Sequence, residues 1–131
     1  MAEENQFFRP IRDFCQRNVV TCAAADGVVD VVARMRERNI SSVVVVGDGR
    51  PLGILTDRDL RNKVVAQGRD PNTLHVADIM NAPLAVIGED DVLYEALYRM
   101  SRLKIHRLVV VTPGGELAGI ITDTDILRLQ A

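Results

Sequence analysis

The chain has 131 residues, of which 47% are hydrophobic and 26% charged, with a formal net charge of -2. A chain of this length can bury about two-thirds of its unfolded surface in one core without staples. Acids and bases are mixed along it, which excludes an electrostatic footprint for duplex nucleic acid or an anionic membrane, and the two cysteines, Cys15 and Cys22, have neither the number nor the spacing of a disulfide framework or a zinc site.

Met1–Gln6 is acidic and has no apolar core, so it reads as no secretory signal. No apolar run approaches a membrane span, and a soluble, cytoplasmic protein is expected. Residues 1–10 read as an N-terminal extension in which Phe7 and Phe8 dock on the body or on a second subunit. Both thiols are expected to be buried and reduced. Val19–Cys22 is a short apolar segment. Asp26 is the expected N-cap of a helix whose inward face carries Val28, Val29, Val32, Ala33 and Met35. Ile40–Val46 is β-branched and closes on Gly47-Asp48-Gly49, a hairpin signal, with Pro51–Leu55 as the returning strand. A second helix from Asp57 is expected to bury Leu60, Val64 and Val65 and to end at Gly68.

After a linker at residues 70–75 the order repeats. Leu84–Ile87 is extended, and a helix turns Val92, Leu93, Ala96, Leu97 and Met100 inward. Strands follow at Leu108–Val111 and Leu117–Ile121, and a short helix starts at Asp123. Ile11, Asp13, Phe14, Cys15, Asp26, Arg34, Met35 and Ile40 stand 65 positions before Val76, Asp78, Ile79, Met80, Asp91, Arg99, Met100 and Ile105. The offset becomes 66 after the loop Thr112-Pro113-Gly114-Gly115-Glu116, which is one residue longer than its first-half counterpart. The chain is therefore a tandem duplication, with repeats at residues 11–69 and 76–131. The expected fold is α/β in the α+β sense, two repeats of strand, helix, strand, strand, helix, related by a pseudo-twofold and packed through their sheets to share a core that one repeat alone is too small to supply.

Within the duplication, Gly53-Ile54-Leu55-Thr56-Asp57-Arg58-Asp59-Leu60 returns as Gly119-Ile120-Ile121-Thr122-Asp123-Thr124-Asp125-Ile126. Each copy ends a strand on a hydroxyl and opens a helix with acids. Two readings stand. Thr56 with Asp59, and Thr122 with Asp125, have the spacing of a capping box. The same carboxylate can also accept two hydrogen bonds from a vicinal diol, while the hydroxyl and free amides serve neighbouring ribose or phosphate oxygens. The helix dipole favours the ionised acid by about 0.3–1 kcal/mol, so Asp59 and Asp125 are expected as acceptors.

Little in the sequence points to catalysis. There is no phosphate-binding loop with lysine, no nucleophile elbow and no histidine-rich metal motif, and His75 and His106 are the only histidines. Asp57 with Asp59, and Asp123 with Asp125, are splayed by the helix start and lack a third metal ligand. Arg34, Arg36 and Arg38 form a solvated helix face without interleaved aromatics.

Two repeats each ending Gly-apolar-apolar-Thr-x-x-Asp resemble a tandem pair of cystathionine-β-synthase (CBS) domains, a Bateman module, over residues 11–130. Lys104-Ile105-His106-Arg107-Leu108 is similar to the corresponding segment of the γ regulatory subunits of AMP-activated protein kinase, and the first octapeptide to that of stand-alone prokaryotic CBS-pair proteins. The resemblance implies a non-catalytic regulatory module that binds an adenosine-containing ligand, AMP, ADP or ATP, in the cleft between repeats, without a catalytic cofactor or metal. It implies one site from Ile54, Thr56, Arg58 and Asp59 with Leu84, Ala85, His106 and Arg107, and another from Ile120, Thr122, Thr124 and Asp125 with Val19, Val20, Ser41 and Ser42.

His106 and Arg107 offer charge-assisted bonds where Ser41 and Ser42 offer neutral ones, so the Asp59 site is expected to prefer a phosphorylated ligand. Occupancy is expected to reach a partner protein through the relation of the two halves, and a homodimer is expected, with helix faces around Met35, Leu97 or Met100 as contacts. The close of the second repeat near residue 131 points to a minimal module. The alternatives are a scaffold without ligand, or a regulatory module for S-adenosylmethionine or NAD.

Overall fold

The structure, a computed structural model, describes residues 5–82 and 84–128. Met1–Glu4, the larger part of the Met1–Gln6 segment that reads as no secretory signal, and the last three residues of the second repeat lie outside the described residues.

The chain divides into two compact units, one formed by Val19–Leu84 and the other by the described parts of Met1–Asn18 and Ala85–Ala131. In the first, β1 (Thr21–Cys22) leads to α1 (Val28–Arg38), then β2 (Ser42–Gly47), β3 (Arg50–Thr56) and α2 (Asp57–Leu60). The second unit runs β4 (Val86–Gly88), α3 (Leu93–Leu103), β5 (Arg107–Val111), β6 (Leu117–Thr122) and α4 (Asp123–Leu127). Each sheet has three strands, the first parallel to the second and the second antiparallel to the third. This is the expected strand-helix-strand-strand-helix order, twice, in an α+β fold.

Local chemistry explains the elements. Val43–Val45 of β2 and Val109–Val110 of β5 are buried, and such β-branched residues fit a pleated, packed surface. At the first hairpin Asp48 and Gly49 both take positive φ, 54° and 77°, the geometry a tight two-residue turn needs. In α1, Val28, Val31 and Met35 face inward, and in α3 Leu93, Ala96 and Met100, a 3.6-residue stripe in each case. They pack on the sheets of their own units.

Each unit includes a segment from the start of the other sequence repeat. Ile11 is buried in the core of the 85–131 unit, whereas Val76 and Ile79 are buried in that of the 19–84 unit. Backbone bonds tie these segments down: Ile11 N donates to Asp91 O at 2.8 Å and Leu93 N to Arg9 O at 3.0 Å, matched by Val76 N to Asp26 O at 2.9 Å and Val28 N to Leu74 O at 3.0 Å. The units thus cut across the repeats expected at 11–69 and 76–131. Residues 70–75 form a turn over Pro71–Thr73 and bury Leu74. Phe7 packs against the core of its unit, and Phe8 is exposed.

Four local expectations are corrected, the first being Val29, expected on the inward face of α1 but exposed, with Val31 in the buried stripe instead. Gly27, not Asp26, caps α1, because the Asp26 carboxylate instead accepts from Ala23 N at 2.9 Å and closes the preceding turn. Asp91 does the same for Gly88 N at 3.0 Å. Past α2 the helix widens over Arg61–Val65, with Ala66 N donating to Arg61 O at 2.8 Å. This five-residue spacing rotates Val65 to the surface while Val64 stays buried. Gly68, at φ 65°, stands just beyond the end of that helix as expected. Finally, Met35 and Met100 are core residues, so neither offers a subunit contact; the exposed apolar residues of α3 are Tyr94, Tyr98 and Leu103, and Val29 is exposed on α1.

Candidate functional site

The duplicated octapeptide forms two junctions of one design. Thr56 and Thr122 are extended N-caps whose hydroxyls accept from Asp59 N at 3.3 Å and Asp125 N at 3.1 Å. Thr56 N donates to Asp59 Oδ2 at 2.9 Å and Thr122 N to Asp125 Oδ2 at 3.1 Å. Both reciprocal bonds of a capping box are therefore present at each junction. The box fixes each carboxylate relative to the strand end, which also orients it as an acceptor.

The leading glycines have a steric role. A Cβ on Gly53 would stand 2.8 Å from Asn81 O, and one on Gly119 would stand 2.5 Å from Gln16 O. A short strap crosses the strand at each place. Ile54 and Asn81 exchange backbone bonds of 3.1 and 2.9 Å, and Ile120 and Gln16 exchange two of 2.9 Å. Gln16 and Asn81 are 65 positions apart, so the straps belong to the duplication.

The strap side chains reach the acids. Gln16 Nε2 donates to Asp125 Oδ1 at 2.9 Å. Asn81 Nδ2 donates to Asp59 Oδ1 at 2.7 Å and Oδ2 at 2.8 Å. Lys63 Nζ lies 3.2 Å from Asp59 Oδ1 and donates to Asn81 Oδ1 at 3.0 Å and Ile79 O at 2.9 Å. Thr56 Oγ1 adds a bond of 3.0 Å to Oδ2. Asp59 is 4% exposed, the one buried charged side chain among the described residues. Sequence reasoning missed Gln16, Asn81 and Lys63. The available signals were the carboxamides at the repeat offset and the lysine four residues after Asp59.

Within the 19–84 unit, Ser41 and Ser42 lie beside the Thr56 junction, through Asp57 N to Ser41 O at 3.0 Å and the Ser42–Thr56 strand register. Val20 O accepts from Val44 N at 3.1 Å on the same sheet. Ile54 is buried, Val19 and Leu84 are half-buried, and Arg58 is exposed. Within the other unit, Arg107 pairs with Thr122 across the β5–β6 ladder, and Ala85 O accepts from Val109 N at 3.3 Å. Ile120 is half-buried and Thr124 exposed.

His106 is 81% exposed and its Nδ1 lies 2.7 Å from Asp123 Oδ2, while its carbonyl accepts from Asp123 N at 2.9 Å. The hydrogen bond from His106 holds the Asp123 carboxyl below its ordinary value of 3.8. His106 and Asp123 line an open cavity of about 400 Å³ with Leu97, Met100, Ser101, Lys104 and Ile105. Thr122 and Asp125 are not part of its wall. Cys22 is buried and Cys15 half-buried, and both are free thiols. Burial pushes the Cys22 thiol up to about 11, with Asp26 adding to the rise, and raises Cys15 as well. Among the described residues no helix is long and apolar enough to cross a membrane.

Two units with the same sheet, strap and capped Thr-x-x-Asp junction define a duplicated α+β module, and the chain belongs to the CBS domain family, which matches it at residues 11–66 and again at 76–131. It is thus a tandem CBS pair, a Bateman module, and such pairs are generally regulatory. An uncharacterised protein of Methanopyrus kandleri is 38% identical over 121 residues; the match covers 92% of this chain and 62% of that protein, so the chain spans under two-thirds of its relative. An uncharacterised conserved protein from Pyrococcus horikoshii has a similar crystal structure, with TM-score 0.84, 24% identity, and coverage of 95% of this chain and 93% of the other. The CBS domain pair of protein MJ0100, solved with 5′-methylthioadenosine and S-adenosyl-L-methionine, gives TM-score 0.81 at 23% identity, covering 94% and 96%. Likenesses at these identities establish the fold.

Proposed function

We propose that the chain is a non-catalytic module that binds an adenosine-containing ligand of the AMP, ADP or ATP type and reports its presence to a partner protein. The observation that carries the reading is a carboxylate oriented by the same threonine amide at both junctions, an acceptor suited to the vicinal hydroxyls of a ribose. The adenosyl ligands of the MJ0100 pair support the ligand class. The resemblance assigns His106 and Arg107 to the phosphate of the ligand whose ribose meets Asp59, and Ser41 and Ser42 to its counterpart at Asp125. Ile54, Arg58, Leu84 and Ala85 on the one hand, and Val19, Val20, Ile120 and Thr124 on the other, complete the proposed contacts. A homodimer belongs to the proposal, supported by Tyr94 and Tyr98, exposed one helical turn apart on α3.

A thermal-shift screen with AMP, ADP, ATP, S-adenosylmethionine and NAD tests it. A ligand at 100 times its dissociation constant adds about 2.7 kcal/mol of stability. A second reading, a scaffold with no ligand, is favoured by a specific observation: among the described residues every buried side-chain nitrogen and oxygen already has a hydrogen-bond partner. It predicts no shift with any of the five.

A further inference from the structure

The two junctions share a capping box but differ in what else holds the acid. A carboxylate has about four lone-pair positions. At Asp59 they are met by Thr56 N, Thr56 Oγ1, the Asn81 amide on both oxygens and the Lys63 ammonium. At Asp125 the partners among the described residues are Thr122 N on Oδ2 and Gln16 Nε2 on Oδ1. In sequence, the position 66 after Lys63 is Leu129, which cannot supply a cation.

We infer that Asn81 and Lys63 form an internal lock on Asp59, making Asp125 the acid that first accepts a ribose diol. This rests on the adenosine-ligand reading and reverses the order expected from His106 and Arg107. Among the described residues, the partners of Asp125 leave acceptor positions that a diol can take. One meeting Asp59 must first displace an amide that already makes the bidentate contact the diol would make. Lys63 reinforces the lock by gripping the strap itself, through Ile79 O and Asn81 Oδ1. The backbone bridge between Ile54 and Asn81 keeps the strap in place when the side chain lets go. Asn81 is thus a positioning residue that sets site preference.

Isothermal titration of AMP into the full chain decides it, using wild type, Asp59→Ala, Asp125→Ala, Asn81→Ala and Lys63→Met. The expected result is wild-type binding that Asp125→Ala abolishes and Asp59→Ala leaves intact. Asn81→Ala should then strengthen the Asp59 site on the order of 10-fold, the weight of charge-assisted hydrogen bonds no longer competing. Lys63→Met should act in the same direction without touching the strap, so a poorly folded Asn81 variant leaves the test standing. Binding that depends on Asp59 and not on Asp125 overturns the lock while upholding the ligand reading. Binding unchanged by both Asn81→Ala and Lys63→Met also overturns the lock. No binding by any variant, or by wild type with the other four adenosine compounds, overturns both.

Discussion

Substituting Gly53 by alanine tests the strap. The added Cβ meets Asn81 O and Met80 Sδ, each at 2.8 Å. The sulfur terminates a flexible side chain and can swing aside, but the carbonyl is held by the Ile54–Asn81 exchange of two backbone bonds. Relief requires the strap to lift, losing two neutral bonds at about 1 kcal/mol each, or the strand to absorb overpacking of about 1–3 kcal/mol. The reduced freedom of the unfolded chain returns about 0.4–1 kcal/mol. The net expectation is destabilisation by about 1.3 kcal/mol, a fall of roughly 4–6 °C in melting temperature for a chain of this size. Urea unfolding followed by far-UV circular dichroism measures it. Gly114→Ala is the control, because its Cβ would meet nothing closer than 3.8 Å, and it should stay within about 0.5 kcal/mol of wild type. A Gly53→Ala protein equally close to wild type would refute the assignment of that glycine to strap clearance.

Gly119→Ala, whose Cβ would stand 2.5 Å from Gln16 O, should destabilise at least as much as Gly53→Ala in the same assay. Cys22, with its thiol pushed up to about 11 from 9.0, should be alkylated by iodoacetamide at pH 8 about 100-fold more slowly in the native protein than in urea, from thiolate fraction alone; comparable rates would contradict its burial. That raised value also makes its contribution to stability complete below pH 9.0 and lost as pH rises through about 11. Asp123 has the opposite sign. Its lowered carboxyl contributes stability above its ordinary 3.8, lost as pH falls through the depressed value. Carboxyl-carbon NMR should show its midpoint rise in His106→Ala, and an unmoved midpoint would remove His106 as the main cause.

The duplication, the element order and the Thr-x-x-Asp junctions were legible because they are written in repeated residues and in periods of two and 3.6. The hairpin turn was legible from Gly47-Asp48-Gly49 for the same local reason. What escaped was non-local. Asn81 reaches Asp59 across 22 residues and Gln16 reaches Asp125 across 109, and no periodicity encodes either pairing. Periodicity also assumed a regular helix after Leu60, whereas the wider turn at Arg61–Val65 exposes Val65. Asp26 was misassigned because an aspartate before a helix closes a turn as readily as it caps. The octapeptide glycines were visible as repeated, but their reason, a backbone crossing at 2.5–2.8 Å, belongs to tertiary structure.

Asp59 and Asp125 are proposed to bind the ribose of an adenosine-containing ligand. Equilibrium dialysis of radiolabelled AMP against wild type and the Asp59→Asn/Asp125→Asn double variant tests this most directly, since asparagine keeps the shape of each acid while removing the charge that accepts a diol. Saturable binding to wild type is expected, with at least a 10-fold loss in the double variant, about 1.4 kcal/mol. Equal binding by both proteins would contradict that assignment.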